Sequence, residues 1–302
     1  MTSISEMVIN FHMTETCNYR CGYCYATWEG NDSQAELHQS SGDIQSLLRK
    51  LADYFLSENP IRKALRYTSV RINFAGGEPV MLGARFVSAL LLAKSLGFRT
   101  SIITNGHLLS NKMLERICPH LDMLGLSFDT ADFLLAQSIG RVDRKSAWLS
   151  PSRTIDIVTA YRALNNHGKV KINTVVNAFN WREDMSHVIE LIQPDKWKLL
   201  RVLPVYSHQL TISSAQYHAY IERHRLYSDV ITVEDNQDMW QSYLMINPEG
   251  RFYQNSDACQ GVAQSPSILD VGVESAIAHV DFNAESFARR YQSNESATTK
   301  VQ

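Results

Sequence analysis

Cys17, Cys21 and Cys24 stand at C-x3-C-x2-C spacing in the stretch Cys17-Asn18-Tyr19-Arg20-Cys21-Gly22-Tyr23-Cys24. Thiolates are the ligands of iron–sulfur clusters. A [4Fe–4S] cluster has four irons, so three neighbouring thiolates hold three and leave the fourth open to a small-molecule ligand, as open positions do in catalytic metal sites. Zinc is the alternative, because C-x2-C also suits it. A zinc site needs a second ligand pair, and none follows at usable spacing.

Other residues carry chemistry away from this loop. Gly76-Gly77-Glu78 offers two positions without side chains, where backbone can approach a ligand closely, and a carboxylate able to accept from an ammonium group. Arg71, Lys171, Lys196, Lys198 and Arg201 lie in or beside expected strands. Strands of a parallel sheet are usually apolar throughout, so these charges need a reason. Either each sits at an edge or strand end and snorkels to water, or together they clamp an anion such as a polyphosphate. Asn173, two residues after Lys171, shares its strand face. Tyr243 is a hydrogen-bond or hydrogen-atom donor, or a core tyrosine. His12 reads as a packing histidine, Asp129 and Asp132 as helix caps, and Cys118 and Cys259 as structural thiols.

These residues need elements to hold them. Val8–Met13 alternates and is rich in β-formers, a strand running into the cysteine loop. Trp28–Gln39 reads as a loop. A helix follows, capped by Ser41 or Asp43, with Ile44, Leu47, Leu48, Leu51 and Phe55 on one face. Strands are expected at Val70–Phe74, Arg99–Ile103, Leu121–Phe128, Val170–Val176 and Trp197–Leu203. Helices are expected from Pro79 through Ala93 and at Lys112–Ile117, Thr154–Asn166, Glu183–Leu191 and Ser213–Arg225. About six strand–helix units of this kind predict an α/β fold, a parallel sheet bent into a partial (β/α)6 barrel rather than the closed eight-fold one. The cysteine loop, the Gly-Gly-Glu turn, Thr104-Asn105-Gly106 and Ser127 all fall at carboxyl ends of these strands. Tyr243–Asn255 reads as a hairpin around Asn247-Pro248-Glu249-Gly250, Ser267–Arg290 as short helix, and the residues beyond as a polar tail. The expected organisation is a core over 1–225 and a C-terminal extension, 226–302, packed on the same domain.

With 302 residues and a net charge of −2, the chain has room for a large core and shows no basic excess for direct nucleic-acid binding. Five cysteines, three of them in one motif, do not form a disulfide framework, which points to a reducing, cytoplasmic setting. Met1–Met7 carries no signal-peptide pattern, and no apolar run reaches the roughly 20 residues of a membrane span.

Taken in order, Cys17–Cys24, Arg71-Ile72-Asn73-Phe74-Ala75-Gly76-Gly77-Glu78-Pro79, Ile103-Thr104-Asn105-Gly106, Leu121–Phe128, Lys171-Ile172-Asn173-Thr174-Val175-Val176-Asn177, Trp181–Met185, Trp197-Lys198, Ser242-Tyr243-Leu244 and Ser267–Glu274 resemble the viperin family of radical S-adenosylmethionine enzymes, in its prokaryotic form. The resemblance spans nearly the whole chain. It implies an antiviral enzyme converting a ribonucleoside triphosphate (CTP, UTP or GTP) to its 3′-deoxy-3′,4′-didehydro form, an RNA chain terminator. It implies a [4Fe–4S] cluster on Cys17, Cys21 and Cys24, and S-adenosylmethionine held by Gly76, Gly77, Glu78, Ser127 and Arg141 with Thr104 and Asn105 nearby. It further implies the nucleotide on Arg71, Lys171, Asn173 and Lys198, Tyr243 facing the ribose, and an electron-donor protein as partner. Arg71 stands where the family often has lysine, Arg201–Leu210 departs from the vertebrate pattern, and the tail lacks the vertebrate terminal tryptophan. A peptide-modifying radical enzyme and a zinc-stabilised interaction module are the competing readings.

Overall fold

The structure is a computed structural model that describes residues 3–24, 35–40, 42–204, 208–239, 242–254 and 263–295. Cys259, the Ser41 cap, Asn255 and parts of the expected 28–39 loop, the 201–210 segment and the tail lie outside these residues. The chain divides into two compact units: 1–16, 28–102 and 238–302 form the first, and 17–27 with 103–237 form the second. The residues after 225 are therefore shared between the two, with 238–302 joining the N-terminal strands.

In the first unit the strand order is β10-β9-β8-β1-β2-β3. The strands are β1 (Glu6–His12), β2 (Ser69–Ala75), β3 (Arg99–Thr104, whose last residues pass into the second unit), β8 (Leu244–Ile246), β9 (Arg251–Gln254) and β10 (Ala263–Ser267). β1 pairs parallel to both β2 and β8, β2 pairs parallel to β3, and the β8–β9 hairpin and β10 are antiparallel. Helices α1 (Asp43–Phe55), α2 (Pro60–Leu65) and α3 (Ala84–Ser95) connect the first three strands, and α9 (Ile268–Val271), α10 (Val273–Ile277) and α11 (Ala284–Glu295) close the chain. α1 buries Ile44, Leu47, Leu48, Leu51 and Phe55, the periodic face seen in the sequence. The helix expected from Pro79 begins later. Pro79–Leu82 is a 3₁₀ turn, and Gly83, at φ +53°, separates it from α3.

The second unit holds β4 (Met123–Ser127), β5 (Lys169–Val176), β6 (Lys196–Arg201) and β7 (Ile231–Glu234), all parallel and in chain order. α4 (Asn111–Ile117) precedes β4, and α5 (Phe133–Ile139), α6 (Pro151–Leu164), α7 (Ser186–Ile192) and α8 (Ser214–Arg223) run between the strands. β7, β10, α2 and α5 add to the elements expected from sequence. α5 has clear local signals, with Asp132 Oδ1 accepting from Leu135 N at its start and Gly140 at φ +85° ending it.

Each unit packs one sheet face with apolar side chains. In the first, Ile9, Phe11, Ile72 and Phe74 are buried, and Phe74 meets Phe11 and Phe86 at ring-centroid distances of 6.4 and 5.8 Å. In the second, Trp197 is fully buried among Tyr220, His224 and Tyr227, with its Nε1 donating to Thr174 Oγ1 at 2.9 Å. The opposite faces are polar, which a parallel sheet covered on both sides does not show. No helix among the described residues is long and apolar enough to cross a membrane.

At the carboxyl end of β1, His12 is buried edge-on against Tyr253, and burial lowers its imidazolium to a pKa of about 4. Between pH 6.5 and 4 the unfolded chain then binds a proton that the folded chain does not, so stability falls as the pH drops through this window. The full loss is about 3 kcal/mol. Chemical denaturation at pH 7 and pH 4.5 should show a smaller pH-dependence in His12→Gln than in the parent; an unchanged slope would mean His12 is not the buried neutral group.

Candidate active site

The Gly-Gly-Glu turn follows β2 in the first unit and lies directly against the chain leading to the cysteines. Gly77 N donates to Thr14 O at 2.6 Å and Glu78 N to Thr16 O at 2.8 Å. A Cβ on Gly76 would stand 2.6 Å from Thr14 O, and one on Gly77 would stand 2.3 Å from Thr16 O and 2.5 Å from Glu15 O. Gly76 also has φ +136°. The glycines thus permit close approach of backbone to backbone at the root of the loop. Glu78 is fully buried, and its Oε1 accepts from Val80 N at 3.0 Å, capping the 3₁₀ turn. The same root is gripped by Glu36, whose carboxylate accepts from Thr14 Oγ1 and Glu15 N, both at 2.8 Å, and from His38 Nε2 at 2.5 Å.

The cysteine loop belongs to the second unit. It is tied by backbone to the end of α5, Arg20 N to Gly140 O at 3.1 Å and Gly22 N to Ile139 O at 2.9 Å. Asn105, just past β3, donates to Asn18 Oδ1 at 2.7 Å and to Cys17 Sγ at 3.8 Å, while its own Oδ1 turns back to His107 N. Thr104 Oγ1 accepts from Gly106 N at 3.0 Å, so its hydroxyl shapes the turn. Arg141 is buried. Its Nη1 lies 3.9 Å from Cys21 Sγ and 3.1 Å from Tyr23 Oη, its Nη2 donates to Ser127 O, and its guanidinium covers the Tyr19 ring at 5.6 Å. Burial works against its charge, but the Asp129 carboxylate, with Tyr23 and Cys21, more than offsets this and holds Arg141 firmly protonated. Burial pushes the Cys21 thiol up to about 12, against the pull of Arg141.

Cys17, Cys21, Asn105, Ser127 and Arg141 are therefore brought together as expected. Cys24 shares their loop, its N donating to Cys21 O at 3.1 Å. Asp129, read from sequence as a cap, is instead a tertiary anchor: it accepts from Tyr23 Oη, pairs with Arg141 at 3.4 Å, and accepts from Val175 N at 2.9 Å. Its place two residues after Ser127, at a strand end, was the only signal the sequence offered. Among the described residues no group of three or more His, Cys, Asp and Glu side chains is arranged to hold one metal ion. Thiolates of a cubane each take a different iron, so a donor set of three cysteines on one loop fits a cluster.

The polar face of the second unit carries Lys171, Asn173, Lys196 and Lys198. Lys171 is opposite Lys196, and Asn173 is opposite both Ser127 and Lys198. Lys171, Lys196 and Lys198 lie in the first halves of β5 and β6 and Asn173 just past the middle of β5, so none is at a carboxyl end of its strand. Lys198 and Glu234 form a buried ion pair at 2.5 Å, and Asn173 Oδ1 is buried without a hydrogen-bond partner. Arg201 points the other way. It donates to Ile212 O at 2.6 Å and pairs with Asp235 at 3.2 Å, so it is not part of this face. In the first unit Arg71 is held by Glu6 at 2.7 Å and donates to Ser101 Oγ at 2.8 Å, in a chain that continues through Asn73 to Asn10. Tyr243 is half-buried immediately before β8.

The fold and the three-thiol loop define a class, and comparison with known proteins agrees: residues 11–192 match the Radical SAM superfamily. The solved structure of native anSMEcpe with bound AdoMet shares the fold, with a TM-score of 0.67 at 14% identity, covering 93% of this chain and 84% of that one. The chain is 68% identical over 293 residues to the S-adenosylmethionine-dependent nucleotide dehydratase of Pseudoalteromonas ulvae, spanning 97% of this chain and 95% of that protein. It is 37% identical over 287 residues to that of Psychrobacter lutiphocae, spanning 95% of each. The chain belongs to this family of S-adenosylmethionine-dependent nucleotide dehydratases within the radical SAM superfamily.

The packing of Gly77 changes what its substitution should do. Even alanine there strikes Thr16 O and Glu15 O, so Gly77→Ala must displace the loop root and should destabilise by about 1–3 kcal/mol. Iron and sulfide retained after anaerobic reconstitution should fall. Gly42→Ala, which meets nothing within 4 Å, should leave both stability and iron content at parent values. A Gly77→Ala protein with parental iron content would show that this contact does not hold the loop.

Proposed function

We propose that this protein removes water from the ribose of a ribonucleoside triphosphate to give the 3′-deoxy-3′,4′-didehydro nucleotide, a terminator of viral RNA synthesis, in the cytoplasm and with electrons from a separate donor protein. The observation that carries the nucleotide assignment is the cationic face of the second unit, with Lys198 buried and Lys171 and Lys196 half-buried around Asn173, in a sheet whose other face is apolar. The 68% identity to a nucleotide dehydratase supports dehydration over the peptide-modifying reading, because the likeness to anSMEcpe, at 14% identity, speaks for the fold alone.

Cys17, Cys21 and Cys24 would ligate the [4Fe–4S] cluster. Gly76, Gly77, Glu78, Thr104, Asn105, Ser127 and Arg141 would hold S-adenosylmethionine. Bound together, cluster and cofactor would supply one-electron reduction and hydrogen-atom abstraction at ribose C4′. The chain's own work is placement and exclusion of water. Lys171 and Lys198 donate charge-assisted bonds to phosphate oxygens, Asn173 Oδ1 gains the donor it lacks, and Arg71 adds a further cation. Tyr243 faces the ribose. Lys198 already has Glu234 as a counter-ion, which keeps a buried ammonium charged before any nucleotide arrives.

Losing one charge-assisted bond costs roughly 1.5–3 kcal/mol, so Lys198→Ala should raise the triphosphate Kd by roughly ten- to a hundredfold. It also strips Glu234 of its partner, which should lower stability by about 3–5 kcal/mol. Adding Glu234→Gln to Lys198→Ala should restore much of that stability and none of the nucleotide affinity. Titration calorimetry with triphosphate, monophosphate and nucleoside, each with S-adenosylmethionine present, separates these effects. Equal affinity of the parent for all three ligands would remove the phosphate clamp.

A further inference from the structure

Asp129 is a buried carboxylate beside the cysteine loop whose side-chain partners are all distant in sequence. It is 1% exposed. One oxygen, Oδ1, is fixed by Val175 N at 2.9 Å, which ties the side chain to the end of β5. The other, Oδ2, accepts the hydroxyl proton of Tyr23 and faces Arg141 Nη1 at 3.4 Å. Tyr23 lies in the loop between Cys21 and Cys24. Arg141 follows Gly140, whose carbonyl receives Arg20 N. A single buried carboxylate thus joins the aromatic residue of the cysteine loop, the arginine beside Cys21 and the neighbouring strand.

We infer that Asp129 is a positioning residue for the reaction: through Oδ2 it aims the Arg141 guanidinium and, through the Tyr23 hydroxyl, keeps the cysteine loop in register with it, so that Arg141 is preorganised for the carboxylate of S-adenosylmethionine. The inference rests on the proposed assignment of Arg141 to that cofactor. Arg141 has a planar fork of five donors. In this structure Nη2 is spent on Ser127 O and Nη1 is shared among Asp129, Tyr23 and Cys21. The Tyr19 ring lies across the guanidinium at 5.6 Å. Without the carboxylate the guanidinium has no anion fixing its rotation, and a ligand carboxylate must order it on binding, which weakens affinity. The hydroxyl of Tyr23 matters for the same reason: a phenylalanine would fill the space and leave the Asp129–Arg141 pair without its third member.

Asp129→Asn is close to isosteric and turns one oxygen into an NH2 that confronts two donors, Tyr23 Oη and Arg141 Nη1. Tyr23→Phe removes one hydroxyl and leaves Asp129 charged. Titration calorimetry under anaerobic conditions, with S-adenosylmethionine as the ligand, should show the Kd raised at least about tenfold in Asp129→Asn, as for a lost charge-assisted bond. Tyr23→Phe should raise it by a smaller factor. The double variant should bind no worse than Asp129→Asn alone, because the two act through one contact. Iron and sulfide content and the thermal midpoint, measured alongside, should stay at parent values in Tyr23→Phe, which a merely structural role would not combine with weaker cofactor binding. Parental affinity in Asp129→Asn, or additive losses in the double variant, would overturn the inference. If Asp129→Asn fails to fold, Tyr23→Phe decides: weakened binding sustains the inference and parental binding overturns it. A parent protein that binds no iron would overturn the proposed function, and the order of affinities would still decide the role of Asp129.

Discussion

The structure depends first on a backbone contact that admits no side chain. Gly76 and Gly77 bring the turn after β2 so close to Thr14–Thr16 that a single added carbon would overlap carbonyl oxygens. Gly77 N and Glu78 N satisfy the carbonyls of Thr14 and Thr16, and Glu36 satisfies Thr14 Oγ1 and Glu15 N from its own side. Thr14, Glu36 and Glu78 are buried in this clamp, and their polar groups are hydrogen-bonded there, as burial requires. The chain leaves this clamp one residue before Cys17.

The second requirement is charge inside a protein that has little reason to bury it. Arg141 and Lys198 are both buried, and each is matched by a buried carboxylate, Asp129 and Glu234. Such pairs seldom add stability relative to an apolar core. Arg201 shows the contrast: it is equally basic and on the same strand as Lys198, yet it is used to tie β6 to Ile212 and Asp235.

Much of this was legible in the sequence. Strong alternation placed β1 to β6 to within a few residues, and helical spacing placed α1. The three thiols, the glycine pair and Lys171, Asn173 and Lys198 were visible because their types are unusual where they occur. β7 was not, because Ile231–Glu234 is four residues long and ends in a carboxylate, which weighs against a strand until Lys198 is seen beside it. The role of Asp129 was hidden for a different reason. Its partners are Tyr23 and Arg141, 106 and 12 residues away in sequence, and capping is the commoner use of an aspartate after a strand. The glycine pair was read as a place where backbone approaches a ligand; in the structure what it approaches is the chain itself, at Thr14–Thr16. Spacing in the sequence reports which residues are available; it does not report which neighbour they meet.

Anaerobic turnover with each of CTP, UTP, GTP and ATP tests the central claim most directly, read by mass spectrometry of the nucleotide together with chromatography of 5′-deoxyadenosine. Dehydration at the ribose predicts a nucleotide lighter by one water for at least one triphosphate, with 5′-deoxyadenosine formed in equal amount and deuterium from C4′-labelled substrate carried into it. Formation of 5′-deoxyadenosine with all four nucleotides recovered unchanged would contradict it.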